Sequence, residues 1–236
     1  MDEAWARIKV GKNNRAVLIG KTGCGKTTLA RFLIEDDAKP FSVTWNPKGS
    51  QSIFEWKHKH VNSLNKLYEA ADKEVRRIVY TPHPYLAEDW KNQEELFYYI
   101  YENKNRRFYI DEATSIKFGG VKIPEGLTAL INRGREPGLS TMVATQRPSR
   151  IPMNILSESE HYYIFRLRLP QDRERVEDIT GISVEDQARL GKYEFFYCSE
   201  EDGVLVDDEG LPRKIKLNLS EVKHGGRTRV AAVSVG

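Results

Sequence analysis

The sequence predicts an α/β fold built on a central, mostly parallel sheet flanked by helices. Three observations carry that expectation. Short apolar runs alternate with stretches of helical periodicity along much of the chain, the rhythm of strands joined by helical crossovers. A glycine-rich turn, Gly20 to Thr27, joins the first apolar run directly to an amphipathic stretch. A further apolar run, Phe108-Tyr109-Ile110, ends in paired carboxylates, Asp111-Glu112.

The elements follow in order. Ala16 to Ile19 is a compact buried strand, and Leu29, Phe32 and Leu33 recur at helical spacing between Thr27 and Asp36, with Pro40 as the stop. Phe41–Trp45 and Ile78–Tyr80 read as strands, with a helix over Ser63–Val75 between them. Trp90, Phe97, Ile100 and Tyr101 mark a helix reaching about Asn103. After the Asp-Glu strand come a loop from Ser115 to Lys122 and a helix from about Pro124 to Arg133, its proline placed in the first turn where a missing N–H costs little. Thr141–Thr145 and His161–Leu167 are strands, then helices over Asp172–Ile179 and Val184–Leu190, and a strand over Tyr193–Cys198. A hairpin-like finish is expected over Gly203–Leu219, and nothing from Ser220 onward argues for order. The domain expectation is one domain over residues 1–219, with a core over 15–167 and an elaboration over 168–219, followed by a basic flexible tail, 220–236.

Composition excludes several classes. With 236 residues and 39% hydrophobic content, the chain has enough apolar material for a sizeable core. No apolar run approaches the ~20 residues needed to cross a bilayer, and the acidic N-terminal stretch is unlike a signal peptide. Two cysteines, Cys24 and Cys198, build no disulfide framework. A cytoplasmic protein without stable membrane insertion is expected. The formal net charge of +3 is small, yet Arg213, Lys214, Lys216, Lys223, Arg227 and Arg229 face Glu221 alone after Gly210. Such a tail suits a polyanion or is simply solvated.

Gly20-Lys21-Thr22-Gly23-Cys24-Gly25-Lys26-Thr27 matches the phosphate-loop pattern without departure. Its glycines let successive N–H groups wrap phosphate oxygens, and the following helix adds its positive end. Lys26 is expected to reach the β- and γ-phosphates, Thr27 to ligand Mg²⁺, and Thr28 to touch the α-phosphate. Cys24 at this helix start is open to a redox reading, or is a small residue tolerated at a variable position. Asp111 is expected to hold Mg²⁺ and Glu112 to polarise an attacking water, a group that hydrolases need and small-molecule kinases do not. Thr145-Gln146-Arg147-Pro148 closes the next strand, where Gln146 is placed to sense the γ-phosphate or merely caps the strand. Arg133 and Arg135 end a helix, where an arginine can serve a neighbouring subunit's γ-phosphate or complement the helix dipole.

Together with Gly20–Thr28 and Asp111–Glu112, the stretch from Arg135 to Ser149, with its Thr-Gln-Arg-Pro-Ser ending, resembles the FtsK–HerA superfamily of DNA-pumping ATPases. Among these it is most similar to the small genome-packaging ATPases of icosahedral viruses with internal membranes. The resemblance covers about Arg15 to Leu167. It implies a RecA-like P-loop NTPase of the additional-strand, catalytic-glutamate type, using ATP and Mg²⁺. It further implies a homomeric ring, hexameric or pentameric, around double-stranded DNA, at a capsid portal or vertex and associated with the virion. It maps the arginine of the pattern onto Arg135. A P-loop ATPase for phage assembly or secretion is the alternative, and a small-molecule P-loop kinase a more distant one.

A translocase grips DNA mainly by its phosphates. Lys117 and Lys122, in the loop after the Asp-Glu pair, are candidate contacts, as is Lys57-His58-Lys59-His60. An exposed loop without a ligand is the alternative for each, and His58 with His60 lacks the further ligands a zinc site needs.

Overall fold

A computed structural model describes residues 8, 10–11, 13–35, 41–117, 123–207, 209–217 and 232–234. In chain order, the first half holds β1 (Arg15–Ile19), α1 (Lys26–Glu35), β2 (Phe41–Trp45), α2 (Gln51–Phe54), β3 (Lys59–Val61), α3 (Leu64–Asp72), β4 (Arg77–Tyr80), α4 (Pro84–Ala87), α5 (Trp90–Glu102) and β5 (Arg106–Ile110). Next come α6 (Glu125–Arg133), β6 (Ser140–Thr145), α7 (Met153–Ser157), β7 (His161–Phe165), α8 (Pro170–Thr180) and α9 (Val184–Ala188). The chain closes with β8 (Glu194–Ser199), β9 (Gly203–Val204), β10 (Ile215–Leu217) and β11 (Ala232–Ser234).

Two compact units form: Met1–Val10 with Ala16–Asp36 and Thr145–Gly236, and Gly11–Arg15 with Asp37–Ala144. In the second, five strands run parallel in the order β6-β5-β2-β4-β3. Their register sets Trp45 beside Ile110 and Tyr109 beside Met142. Within them, Ile78–Tyr80 and Phe108–Ile110 are unbroken apolar runs, buried because both sheet faces are covered there. Val43, Trp45, Phe108, Tyr109 and Ile110 are buried with Leu96, Phe97 and Ile100 of α5.

α6 packs on α5. Pro124 takes the cap position rather than the first turn and contributes no side-chain hydrogen bond. Glu94 of α5 caps the helix instead, accepting from the Glu125 and Gly126 N–H groups at 2.9 and 3.2 Å. A carboxylate there satisfies orphan donors and suits the helix dipole.

In the first unit β7 lies parallel to β1 and antiparallel to β8, which pairs antiparallel with both β9 and β10. Val17, Leu18, Phe165, Phe195 and Phe196 are buried in its core. α1 buries Leu29, Ala30, Phe32, Leu33 and Ile34.

Two expectations need correction. Lys57–His60 is not a loop throughout, because Lys59–Val61 forms β3 against β4. Its charged residues disguise the strand: His60 Nε2 donates at 3.0 Å to the Trp56 carbonyl and its ring stacks on Phe54, while His58 meets the Trp56 ring edge. No cluster of three or more His, Cys, Asp and Glu side chains among the described residues is arranged to hold a metal ion. A strand also forms beyond Ser220, where Ala232–Ser234 pairs antiparallel with β10. No helix among the described residues is long and apolar enough to cross a membrane.

Candidate functional site

The phosphate loop leaves β1 and enters α1 in one tight turn. The Gly20 N–H donates to the Thr145 carbonyl and the Lys21 N–H to the Arg166 carbonyl, both at 3.0 Å, so the loop is stitched to the ends of β6 and β7. Gly20 has no room for a side chain: a Cβ would lie 2.5 Å from Phe165 Cβ and 2.9 Å from Cys24 Sγ. Lys26 is buried and folds across the loop, its Nζ donating to the Gly20 and Lys21 carbonyls at 2.7 and 3.0 Å. Thr27 and Thr28 occupy the first turn of α1, where backbone N–H groups have no intrahelical acceptor.

A cavity of about 360 Å³ opens beside the loop, lined by Lys21, Thr22, Gly23, Cys24, Arg166, Gly191 and Lys192. A cradle of donors and cations with that much room suits an anionic, nucleotide-sized ligand. Arg166 and Lys192 escaped the sequence reading. Their signal was positional: ligands of open α/β sheets bind outside the carboxyl ends of strands, and Arg166 immediately follows β7. Burial pushes the Cys24 thiol above its ordinary value, against the nearby Lys26 charge. That favours the small-residue reading over a reactive thiolate.

Gln146 lies against the same loop, its side-chain oxygen accepting from the Thr22 hydroxyl at 2.6 Å. The residues after it are clamped to α8. Asp172, 1% exposed, accepts from Arg147 Nε at 2.8 Å, and from the Ser149 hydroxyl and N–H at 2.6 and 3.2 Å. Asp172 was invisible to sequence reasoning, being one acid in a charged helix. Asp172→Ala strands a guanidinium that is 27% exposed. The expected loss is about 3 kcal/mol, the low end for a broken buried pair. Denaturant unfolding checks this, with Asp172→Asn costing less because the amide oxygen still accepts.

In the other unit, β5 ends at the paired carboxylates. Asp111 is buried and accepts from the Tyr109 hydroxyl at 2.9 Å and the Ser50 hydroxyl at 2.7 Å. Glu112, its side chain 3% exposed, starts the 3₁₀ turn Ala113–Ser115. One carboxylate oxygen accepts from the Thr114 hydroxyl and N–H at 2.9 and 3.3 Å, and the other meets Lys48 Nζ at 3.2 Å. Neither Lys48 nor Ser50 was singled out from sequence. The Asp111 carboxylate in this unit is a hard oxygen donor of the kind Mg²⁺ takes, and so, taken by itself, is the Thr27 hydroxyl of the other unit.

Arg133 closes α6, and Arg135 stands in the turn that follows, both exposed. That turn is closed by Gly138 N–H donating to the Arg135 carbonyl at 3.1 Å and Leu139 N–H to the Gly134 carbonyl at 2.8 Å. Gly138 has φ +80°, a left-handed backbone that favours glycine, and a Cβ there would press on the Asn105 side chain, 2.4 Å from its Oδ1. Lys117 pairs with Glu88 at 2.6 Å, and its N–H donates to the Gln93 side chain at 2.7 Å. Lys122 lies outside the described residues.

No family model matches the chain. The DNA packaging ATPase P9 of Enterobacteria phage PRD1 is 26% identical over 176 residues, covering 72% of each chain. This chain is similar to a phage DNA packaging ATPase. Among solved structures, the genome packaging NTPase B204 of Sulfolobus turreted icosahedral virus 2 in complex with ATP-γS superposes with a TM-score of 0.65 at 15% identity. It covers 86% of this chain and 100% of that one. The sulfate complex of the same protein gives 0.64 at 16% identity, over 83% and 96%. VirB4 of Thermoanaerobacter pseudethanolicus gives 0.58 at 9% identity, over 83% and 90%. These likenesses establish the P-loop NTPase fold, and the resemblance to small viral packaging ATPases expected from the motifs holds.

Proposed function

We propose that this chain is an ATP-hydrolysing motor subunit that drives double-stranded DNA into a viral capsid. The observation that carries the hydrolytic part is Glu112, a buried carboxylate directly after Asp111 and held from both sides. A water-activating group is superfluous to a small-molecule kinase. Relationship to the PRD1 packaging ATPase supports DNA as the cargo.

In this reading the loop amides from Gly20 to Thr28, with Lys26, hold the phosphates. Release of Lys26 Nζ from two loop carbonyls frees its charge for the β- and γ-phosphates. Thr27 and Asp111 supply oxygens to Mg²⁺, which when bound neutralises charge developing on the transferred phosphoryl group. Glu112 takes the proton of the attacking water, and Gln146, at the Thr22 side of the loop, registers the γ-phosphate. Arg135 reaches a neighbouring subunit in a homomeric ring of five or six copies; Arg133 is the competing candidate. The chain from 1 to 219 acts as one motor domain with a basic tail. It works in the host cytoplasm at a capsid portal or vertex, with Lys117 and Lys122 as phosphate contacts.

The test is ATP hydrolysis measured with and without double-stranded DNA, beside particle size from light scattering. Stimulation by DNA, coinciding with a ring-sized particle and weakening as salt rises, is the expected result. Hydrolysis indifferent to both DNA and oligomer size would overturn the motor reading in favour of an assembly or secretion ATPase.

A further inference from the structure

The turn leaving β2, Asn46-Pro47-Lys48-Gly49-Ser50, touches both carboxylates at the end of β5. Ser50 donates its hydroxyl to Asp111 Oδ2 at 2.7 Å, and Lys48 Nζ lies 3.2 Å from Glu112 Oε2. The turn is anchored rather than loose. Asn46 is fully buried; its N–H donates to the Tyr80 carbonyl at 2.9 Å. Its side-chain oxygen accepts from the Ser50 N–H at 2.8 Å, and its amide nitrogen donates to the Thr81 hydroxyl at 3.2 Å. Gly49 N–H closes the turn onto the Asn46 carbonyl at 3.2 Å.

An ion pair between two exposed side chains contributes little and wanders. Here the carboxylate is 3% exposed and the lysine 48% exposed, so an ammonium approaching from solvent meets a carboxylate with little freedom. Glu112 Oε1 is already held by the Thr114 hydroxyl and N–H. A second contact at Oε2 stops rotation of the carboxylate about its last torsion and fixes where its remaining lone pairs point. A general base depends on that direction, since a displacement of about 1 Å can cost ~10²-fold in rate.

We infer that Lys48 is a positioning residue for Glu112, so that the turn after β2 belongs to the hydrolytic apparatus. The inference rests on the reading of Glu112 as the group that activates water. It adds a requirement that neither the phosphate-loop nor the Asp-Glu motif contains.

The experiment uses the full chain carrying Lys48→Met, Lys48→Gln and Lys48→Arg. Steady-state ATP hydrolysis is measured beside equilibrium binding of a fluorescent ATP analogue. Lys48→Met and Lys48→Gln should lower kcat by about 10- to 100-fold, the scale of a misplaced catalytic group, with nucleotide affinity unchanged. Lys48→Arg should restore most of the rate. In a Glu112→Gln background, Lys48→Met should remove little further activity, since residues acting as a unit are not additive. Wild-type kcat in Lys48→Met or Lys48→Gln overturns the inference. So does a parallel loss of rate and affinity that Lys48→Arg fails to rescue, because that pattern marks support of the fold. If Lys48→Met does not fold, Lys48→Gln decides on the same readouts. Normal turnover in Glu112→Gln alone would instead defeat the reading of Glu112, a result distinguishable from failure of Lys48.

Discussion

Glu112→Gln abolishes steady-state turnover while ATP still binds: kcat should fall by at least ~10²–10⁴-fold, the contribution of a positioned general base. Shape is kept, but an amide cannot take the proton of water. It also disturbs the hold on the side chain. The Glu112 carboxylate accepts from Thr114 on one oxygen and meets Lys48 on the other. A glutamine presents an oxygen to one of these donors and an NH₂ to the other. Phosphate release at saturating ATP measures the loss, and binding of a fluorescent analogue shows that the phosphate loop is intact. Appreciable turnover in this variant would remove Glu112 from the mechanism and with it the argument for hydrolysis over kinase chemistry.

Arg135→Ala should be comparably severe. An arginine serving a neighbour's γ-phosphate is worth ~10³–10⁵ in rate, and in this reading it acts on the neighbour's nucleotide rather than on its own phosphate loop. Nucleotide affinity should therefore stay near wild type. Arg135 is presented on a closed turn, with Gly138 at φ +80° against Asn105. Its backbone is thus defined before any partner arrives, which lowers the entropy lost on engagement. Mixing Arg135→Ala with Glu112→Gln subunits should restore part of the activity, because a mixed ring contains sites with a good base and a good neighbouring arginine. Absence of rescue at every ratio would exclude a role in trans. Arg133→Ala, assayed alongside, separates the two arginines: the finger is the one whose loss silences turnover.

The distribution of what sequence could and could not reveal has a physical cause. The loop from Gly20 to Thr27 was legible because its glycines, lysine and threonine act through one continuous stretch of backbone. The Asp111-Glu112 pair was legible because an apolar strand ending in acids is itself a local pattern. Strands β2, β5, β6 and β7 were found because each is almost wholly buried and is rich in apolar, aromatic or β-branched residues. β3 was missed because Lys59 and His60 lie in a strand whose histidine packs through its ring. The cap of α6 was misplaced for a related reason: its acceptor, Glu94, comes from another helix. Asp172 gave no signal at all. Its contacts run to Arg147 and Ser149, more than twenty residues away.

Sequence by itself therefore determined the fold class, the candidate phosphate loop, the candidate carboxylate pair and the arginine turn, all carried by residues adjacent along the chain. Only the tertiary structure decided what holds them: Lys48 and Ser50 on the carboxylates, Asp172 behind the Gln146 turn, Arg166 and Lys192 beside the loop. A parallel sheet brings together the carboxyl ends of strands that are far apart in sequence, and no spacing rule encodes which side chains meet there.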